Sequence, residues 1–223
     1  MLIGCASTRL AVSVDSLASP TAESKKKYVL LSDSRDIDAN NLQFQEFSNY
    51  IEQVLHERGF VKQAKLQNAD LAIFLSYAVS APQTQQYSYS VPTWGQTGVS
   101  SSRTYGTVSS YGGVANFTGT TNYTPTYGVT GSTTHSGTNT TYTRSLTLTA
   151  YDAHVYLTNQ KMNQIWVTSV SSTGTSEDLR LVFPYMASAM KPYLGTNTGK
   201  RINVQIPSDD PYALHLRGEP SKK

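Results

Sequence analysis

The chain has 223 residues, 38% of them hydrophobic and 15% charged, with a formal net charge of +3. Both fractions fall below the roughly 45–50% and 25% usual in globular chains, so some neutral, polar segment must dilute them. The small net charge, with no basic cluster beyond Lys25, Lys26 and Lys27, excludes an electrostatic nucleic-acid surface, and no run of about 18 apolar residues exists to form a membrane helix.

At the start of the chain stands its only cysteine, Cys5, so no internal disulfide can form. It follows Leu2, Ile3 and Gly4 and precedes Ala6 and Ser7. Leu-Ile-Gly-Cys resembles the lipobox of bacterial lipoproteins, in which small residues admit the signal peptidase and the cysteine then becomes acylated. The resemblance implies lipidation at Cys5. Three acyl chains, at about 0.8 kcal/mol per buried methylene, would hold the protein to a bilayer essentially permanently. Ala6 in place of an aspartate after the cysteine implies the outer membrane, on its periplasmic face. Only four residues precede Cys5, with neither a charged nor an apolar leader, so residues 1–5 read as a truncated signal remnant and lipobox of a longer precursor.

Residues 6–26 are rich in Ser, Ala and Thr, contain Pro20 and end in the lysine triplet. They read as a flexible tether. Tyr28-Val29-Leu30-Leu31 opens the domain as a strand. Phe47, Tyr50, Ile51, Val54 and Leu55 then fall at helical spacing on one stripe, and Gly59 sits where a left-handed residue would end that helix. After Phe60-Val61 and a turn at Asn68-Ala69-Asp70, the run from Leu71 to Val79 is apolar at both alternations, which predicts a strand inside a sheet.

Residues 81–143 differ in kind. Their one formal charge is Arg103, and Thr, Ser, Gly and Tyr dominate. Tyr87, Tyr89 and Val91, and again Tyr123, Tyr127 and Val129, follow the two-residue period of strands. Tyr105-Gly106, Tyr111-Gly112 and Tyr127-Gly128 suggest a degenerate repeat. The expectation is a set of extended β-hairpins projecting from the domain, with a disordered low-complexity loop as the alternative. Tyr87, Tyr89, Trp94, Tyr105, Tyr111, Tyr123, Tyr127 and Tyr142 are its candidate binding or self-assembly surface, because tyrosine joins a large rigid face to a hydroxyl at low entropic cost.

The domain resumes at Leu146, Leu148 and Ala150, which alternate with threonines. A turn over 159–163 leads to a second strand at Ile165 to Val170. Thr175 and Asp178 suggest a capping box for a stripe of Leu179, Val182, Phe183, Met186, Met190, Tyr193 and Leu194. Pro184 in that stripe predicts a turn followed by a helix. Gly195 would end it, and Ile202, Val204 and Ile206 mark a last strand before a polar tail over 207–223. The α/β domain is thus assigned to 27–80 and 144–206.

This order of elements, with Glu57-Arg58-Gly59-Phe60 ending the first helix, Ala69-Asp70-Leu71 opening a strand, and Asp152 and Trp166 in a later hairpin, resembles the bacterial periplasmic lipoproteins built on a small α/β domain of uncharacterised function. That resemblance covers about residues 27–80 and 144–195 and implies fold and location, with no activity attached.

No constellation in the sequence carries chemistry. His56, His135, His154 and His215 lack metal-ligand spacing. Gly195 to Lys200 imitates a phosphate loop, yet it follows a helix and lacks the Ser or Thr after lysine. Asp209 and Asp210 are adjacent and read as solvated. The expectation is a non-enzymatic protein without metal or cofactor, of α+β class. It should have a small mixed or mostly antiparallel sheet, two helices on one face and the long β-rich insertion. Its expected role is a structural or assembly component of an envelope complex. Its partners would be the membrane, through the lipid, and other envelope proteins or copies of itself. The alternative is a binding module whose tyrosines contact an extended peptide or a glycan such as peptidoglycan.

Overall fold

The computed structural model describes residues 9–34 and 40–219. Cys5, and the lipid reading attached to it, lie outside the described residues. Contacts divide the chain into two units, one of Met1–Gln83 with Thr140–Lys223 and one of Thr84–Asn139.

The first unit is α+β. Its strands are β1 (Arg9–Ala18), β2 (Lys27–Ser32), β3 (Val61–Lys62), β4 (Leu71–Val79), the later part of β6 (Val114–Asp152), β7 (Gln164–Gly174) and β8 (Ile202–Pro207). Their order across the sheet is β3-β2-β4-β6-β7-β1-β8. β2 runs parallel to β3 and β4, and the remaining pairs are antiparallel, so the sheet is mixed. Register turns the two-residue period into rows. Ile73, Ala150, Trp166 and Ala18 form one, Leu75, Leu148, Thr168 and Ser16 the next, and Tyr77, Leu146, Val170 and Val14 a third. Most of these side chains are buried, whereas Thr147, Thr149, Ser169 and Ser13 on the opposite face are half-exposed.

Helices α1 (Leu42–Glu57) and α3 (Leu179–Met190) cover the buried face. Phe47 of α1 stacks on Phe183 of α3 with ring centroids 4.0 Å apart, and both rings meet Tyr77 of β4 edge-on. Asn41 caps α1 by accepting the Phe44 N–H. At the other end Gly59 takes φ +79°, and its N–H and that of Phe60 close onto the carbonyls of His56 and Leu55. That double bond pattern satisfies carbonyls the helix would otherwise leave open. α3 runs unbroken through Pro184. The turn expected there is absent: the proline forgoes the one bond its N–H would make to the Arg180 carbonyl, and the helix continues around its buried ring. Asp178 alone caps α3, accepting from the Arg180 N–H, so Thr175 has no part in a capping box.

Three further expectations are corrected. Residues 9–18, assigned to a tether, form β1 between β7 and β8. Leu10, Val12 and Val14 carry the alternation, and the buried Ser16, whose polarity disguises it, has its hydroxyl 2.7 Å from that of Thr168 and 2.8 Å from the Thr196 carbonyl. The lysine triplet is docked as well. Lys25 pairs with Asp152 at 3.1 Å, and the Lys26 and Lys27 N–H groups donate to Asp70. The tail is partly ordered into α4 (Pro211–Leu216), which buries Ala213, Leu214 and Leu216. Asp210 caps it and Pro211 occupies its first turn, a signal present in the sequence that the solvated-loop reading passed over. A short α2 (Ala153–Asn159), capped by Asp152, precedes the expected turn, where Gln160 adopts φ +60°.

Five of the residues that carried the domain resemblance thus have a structural duty. Gly59 and Phe60 end α1, Asp70 and Asp152 hold the chain of β1 to β2, and Trp166 packs beside Phe60 at 6.0 Å in the core.

Two outcomes are expected. Phe183→Ala should cost about 3–5 kcal/mol of unfolding free energy, measured by urea denaturation, since the stack loses one whole face. Burial works against the charge on Asp152, but the Val155 N–H and Lys25 outweigh it and hold the carboxyl below its ordinary 3.8. A depressed carboxylate stabilises fully above the unfolded-state value and loses that contribution as pH falls through the folded-state value. Asp152→Asn should therefore flatten the acid limb of a stability-against-pH curve while lowering stability near neutrality.

Candidate functional site

Within Thr84–Asn139 the chain forms one ribbon from β5 (Gln83–Tyr111) and the early part of β6. Thr, Tyr and Val favour the extended backbone. The reversal falls at Gly112 and Gly113, with φ +64° and +85°. Two consecutive positive φ values are what a two-residue hairpin of the type I′ form demands, and a Gly-Gly pair meets them without strain. The expected group of several hairpins is therefore a single long one. Tyr111-Gly112 is at the turn, while the other two Tyr-Gly pairs lie inside strands. The 29 residues of β5 span roughly 95 Å at about 3.3 Å per residue.

Cross-strand contacts are polar or aromatic. Thr104 and Thr121 bring their hydroxyls to 2.8 Å, and Ser101 donates to the Thr124 hydroxyl at 3.2 Å. The Phe117 ring lies over the backbone of Gly106 and Gly119, where an added Cβ would come within 2.5 and 2.7 Å of it. Glycine here is the seat for an aromatic ring, which fills the gap its missing side chain leaves. Tyr87 does the same over Gly137, and Tyr89 stacks on both Tyr87 and His135.

Almost every ribbon residue remains exposed. Among the eight candidate residues, Tyr111 is 94% exposed, Trp94 71%, Tyr127 70%, Tyr123 66%, Tyr105 60%, and Tyr87 and Tyr89 54% each. Tyr142 does not belong with them. It is half-buried in the first unit, opposite Gly174 of β7. Phe117, Val108 and Val114 are exposed on the ribbon too and were missed. Their signal was the glycine spacing around Phe117 and the same two-residue period.

Elsewhere the first unit offers shallow ground. A groove of about 560 Å³ is lined by Asn49, Glu52, Gln53, His56, Glu57 and His215, whose side chains are exposed or half-exposed. Among the described residues no three His, Cys, Asp or Glu side chains are placed to hold a metal ion. No helix of the described residues is long and apolar enough to cross a membrane. The buried Arg144 guanidinium donates to the Ser172 and Ser176 carbonyls and the Ser172 hydroxyl, and burial pulls its pKa down. It braces the chain leading into α3.

The class defined by these features is an α+β sheet unit joined in sequence to a long β-ribbon with a single formal charge. No family model matches the chain and no curated protein matches it. Among solved structures it is similar to a PDZ domain protein from Parabacteroides distasonis, at 11% identity and a TM-score of 0.40, over 89% of this chain and 39% of that one. The chain thus spans well under half the length of that protein, and a likeness of this degree assigns neither fold family nor function.

Because the ribbon contributes nothing to the core, its removal should leave the first unit intact. Joining Gln83 to Thr140 through an Asn-Gly turn should keep the first unit's cooperative unfolding and, by shortening the connection, raise its unfolding free energy by up to about 3 kcal/mol. Chemical denaturation of the shortened and full chains checks this.

Proposed function

We propose that this protein is a non-enzymatic structural component of a bacterial cell-envelope assembly, held to the periplasmic face of the outer membrane by acyl chains on Cys5 and working through its ribbon. The observation that carries the reading is the ribbon itself. An isolated two-stranded hairpin is marginal in water, and this one exposes its aromatic rings instead of burying them. Such a surface is suited to being covered by something else.

Arg9 already belongs to β1 and lies four residue steps from Cys5, at most roughly 14 Å of extended chain, which supports a close anchor. Acyl chains there would keep the sheet end bearing Arg9 near the headgroups, where a tether of some twenty residues would have let the domain roam. The stacked, exposed Tyr87 and Tyr89 favour a second reading, glycan binding. Retention on purified peptidoglycan that falls in Tyr87→Ala and Tyr89→Ala would support it.

The anchor is tested in cells producing the full precursor. Wild type is expected to incorporate labelled palmitate and fractionate with the outer membrane, and Cys5→Ala to lose both. An exported wild type that takes no label and stays in the soluble fraction would end the reading.

A further inference from the structure

The two-residue turn determines which backbone groups of the ribbon are already used. Tyr111 and Val114 flank Gly112-Gly113 and form the hydrogen-bonded pair that closes such a hairpin. The Thr104–Thr121 and Ser101–Thr124 contacts keep the same register further along. Hydrogen-bonded and non-bonded pairs alternate along an antiparallel ladder. Between Gly98 and Ser110 the even-numbered residues of β5 therefore turn their N–H and C=O outward, and so do the odd-numbered residues of β6 from Ala115 to Tyr127. Pro125 agrees independently. It has no N–H to give and falls in the outward set, where a strand tolerates proline.

Both long edges consequently carry a row of outward donors and acceptors. Proteins guard such edges with charge, short strands or inward-pointing lysines. The sheet of the first unit does so, for its edge strand β3 is two residues long and ends in Lys62. The ribbon has one charge, Arg103, between residues 81 and 143, and only Pro92 and Pro125 interrupt its edges.

We propose that the ribbon edges pair with the ribbon edges of further copies of this chain, joining protomers through a continuous antiparallel sheet. The inference rests on the assembly reading above and names its partner. Three observations select a second copy over another protein. A copy supplies an edge of identical length and twist. Near-absence of charge lets like ribbons approach without repulsion and offers a charged partner nothing to complement. Ser, Thr and Tyr on both faces can also extend from one ribbon to the next as the same cross-strand pairs seen within it.

The test uses the full-length lipid-bearing protein in mild detergent, with mass measured by light scattering. Wild type is expected at a multiple of the protomer mass. Ser102→Pro combined with Tyr123→Pro removes one outward N–H from each edge and none from the ribbon's own ladder, and is expected to fall to a single protomer, while Ser102→Ala with Tyr123→Ala stays assembled. A wild type of protomer mass, or a proline variant that remains assembled, overturns the proposal. Should the prolines disrupt the ribbon, Ser102→Cys and Tyr123→Cys variants, mixed and oxidised, still decide it. Cross-linked dimers above the level of the unsubstituted chain support pairing between copies, and none overturns it. Palmitate incorporation with a single-protomer wild type refutes this inference alone. Assembly without incorporation refutes the anchor alone.

Discussion

The first unit depends on one aromatic contact, the parallel stack of Phe47 on Phe183 with Tyr77 set edge-on against both. It joins an early helix and the central strand that follows it to a late helix whose Phe183 lies more than a hundred residues further along the chain. Three rings bury a large apolar area, and their edge and face contacts add specificity that aliphatic packing lacks. Once α1 and α3 are seated on one another, the rows running from Ile73 to Ala18 and from Tyr77 to Val14 have a roof. The half-exposed Thr and Ser face opposite needs none.

The ribbon obeys a different economy. It has no core, so its coherence comes from ladder hydrogen bonds, hydroxyl pairs and rings laid across glycines. The polar and aromatic side chains that would be wasteful in a core are there available for contact. Strand formation without burial leaves the backbone's outward half unspent, and the same chemical fact underlies both the assembly reading and the copy-to-copy pairing. Within the first unit the buried guanidinium of Arg144 is committed to the carbonyls of Ser172 and Ser176.

How much of this was legible residue by residue follows from what each signal depends on. The stripe of α1, its end at Gly59, the interior strand β4 and the β6–β7 hairpin were visible, because periodicity and a left-handed glycine are local properties. β1 was not. Ser16 breaks the apolar alternation, and its burial is tolerable only because Thr168 and Thr196 arrive from far along the chain. Pro184 misled for a related reason, since the helix bond a proline forgoes is weighed against the tertiary packing of the face it is buried in. Asp210-Pro211 was legible and overlooked. On the ribbon, seven of the eight named aromatic residues are exposed together, and Tyr142 is set apart by its pairing with β7.

By itself, then, the sequence determined the class of fold, the two helical stripes, the nearly uncharged, β-prone character of residues 81–143 and the lone cysteine near its start. These follow from spacing and composition, which a chain carries before it folds. Tertiary structure alone decided that the Ser/Ala-rich segment is a sheet strand, that the lysine triplet is docked on Asp70 and Asp152, and that the insertion is one ribbon with two free edges. Each of those outcomes turns on which distant group satisfies a buried hydroxyl, an ammonium or a backbone N–H, and partners of that kind exist only once the chain has closed on itself.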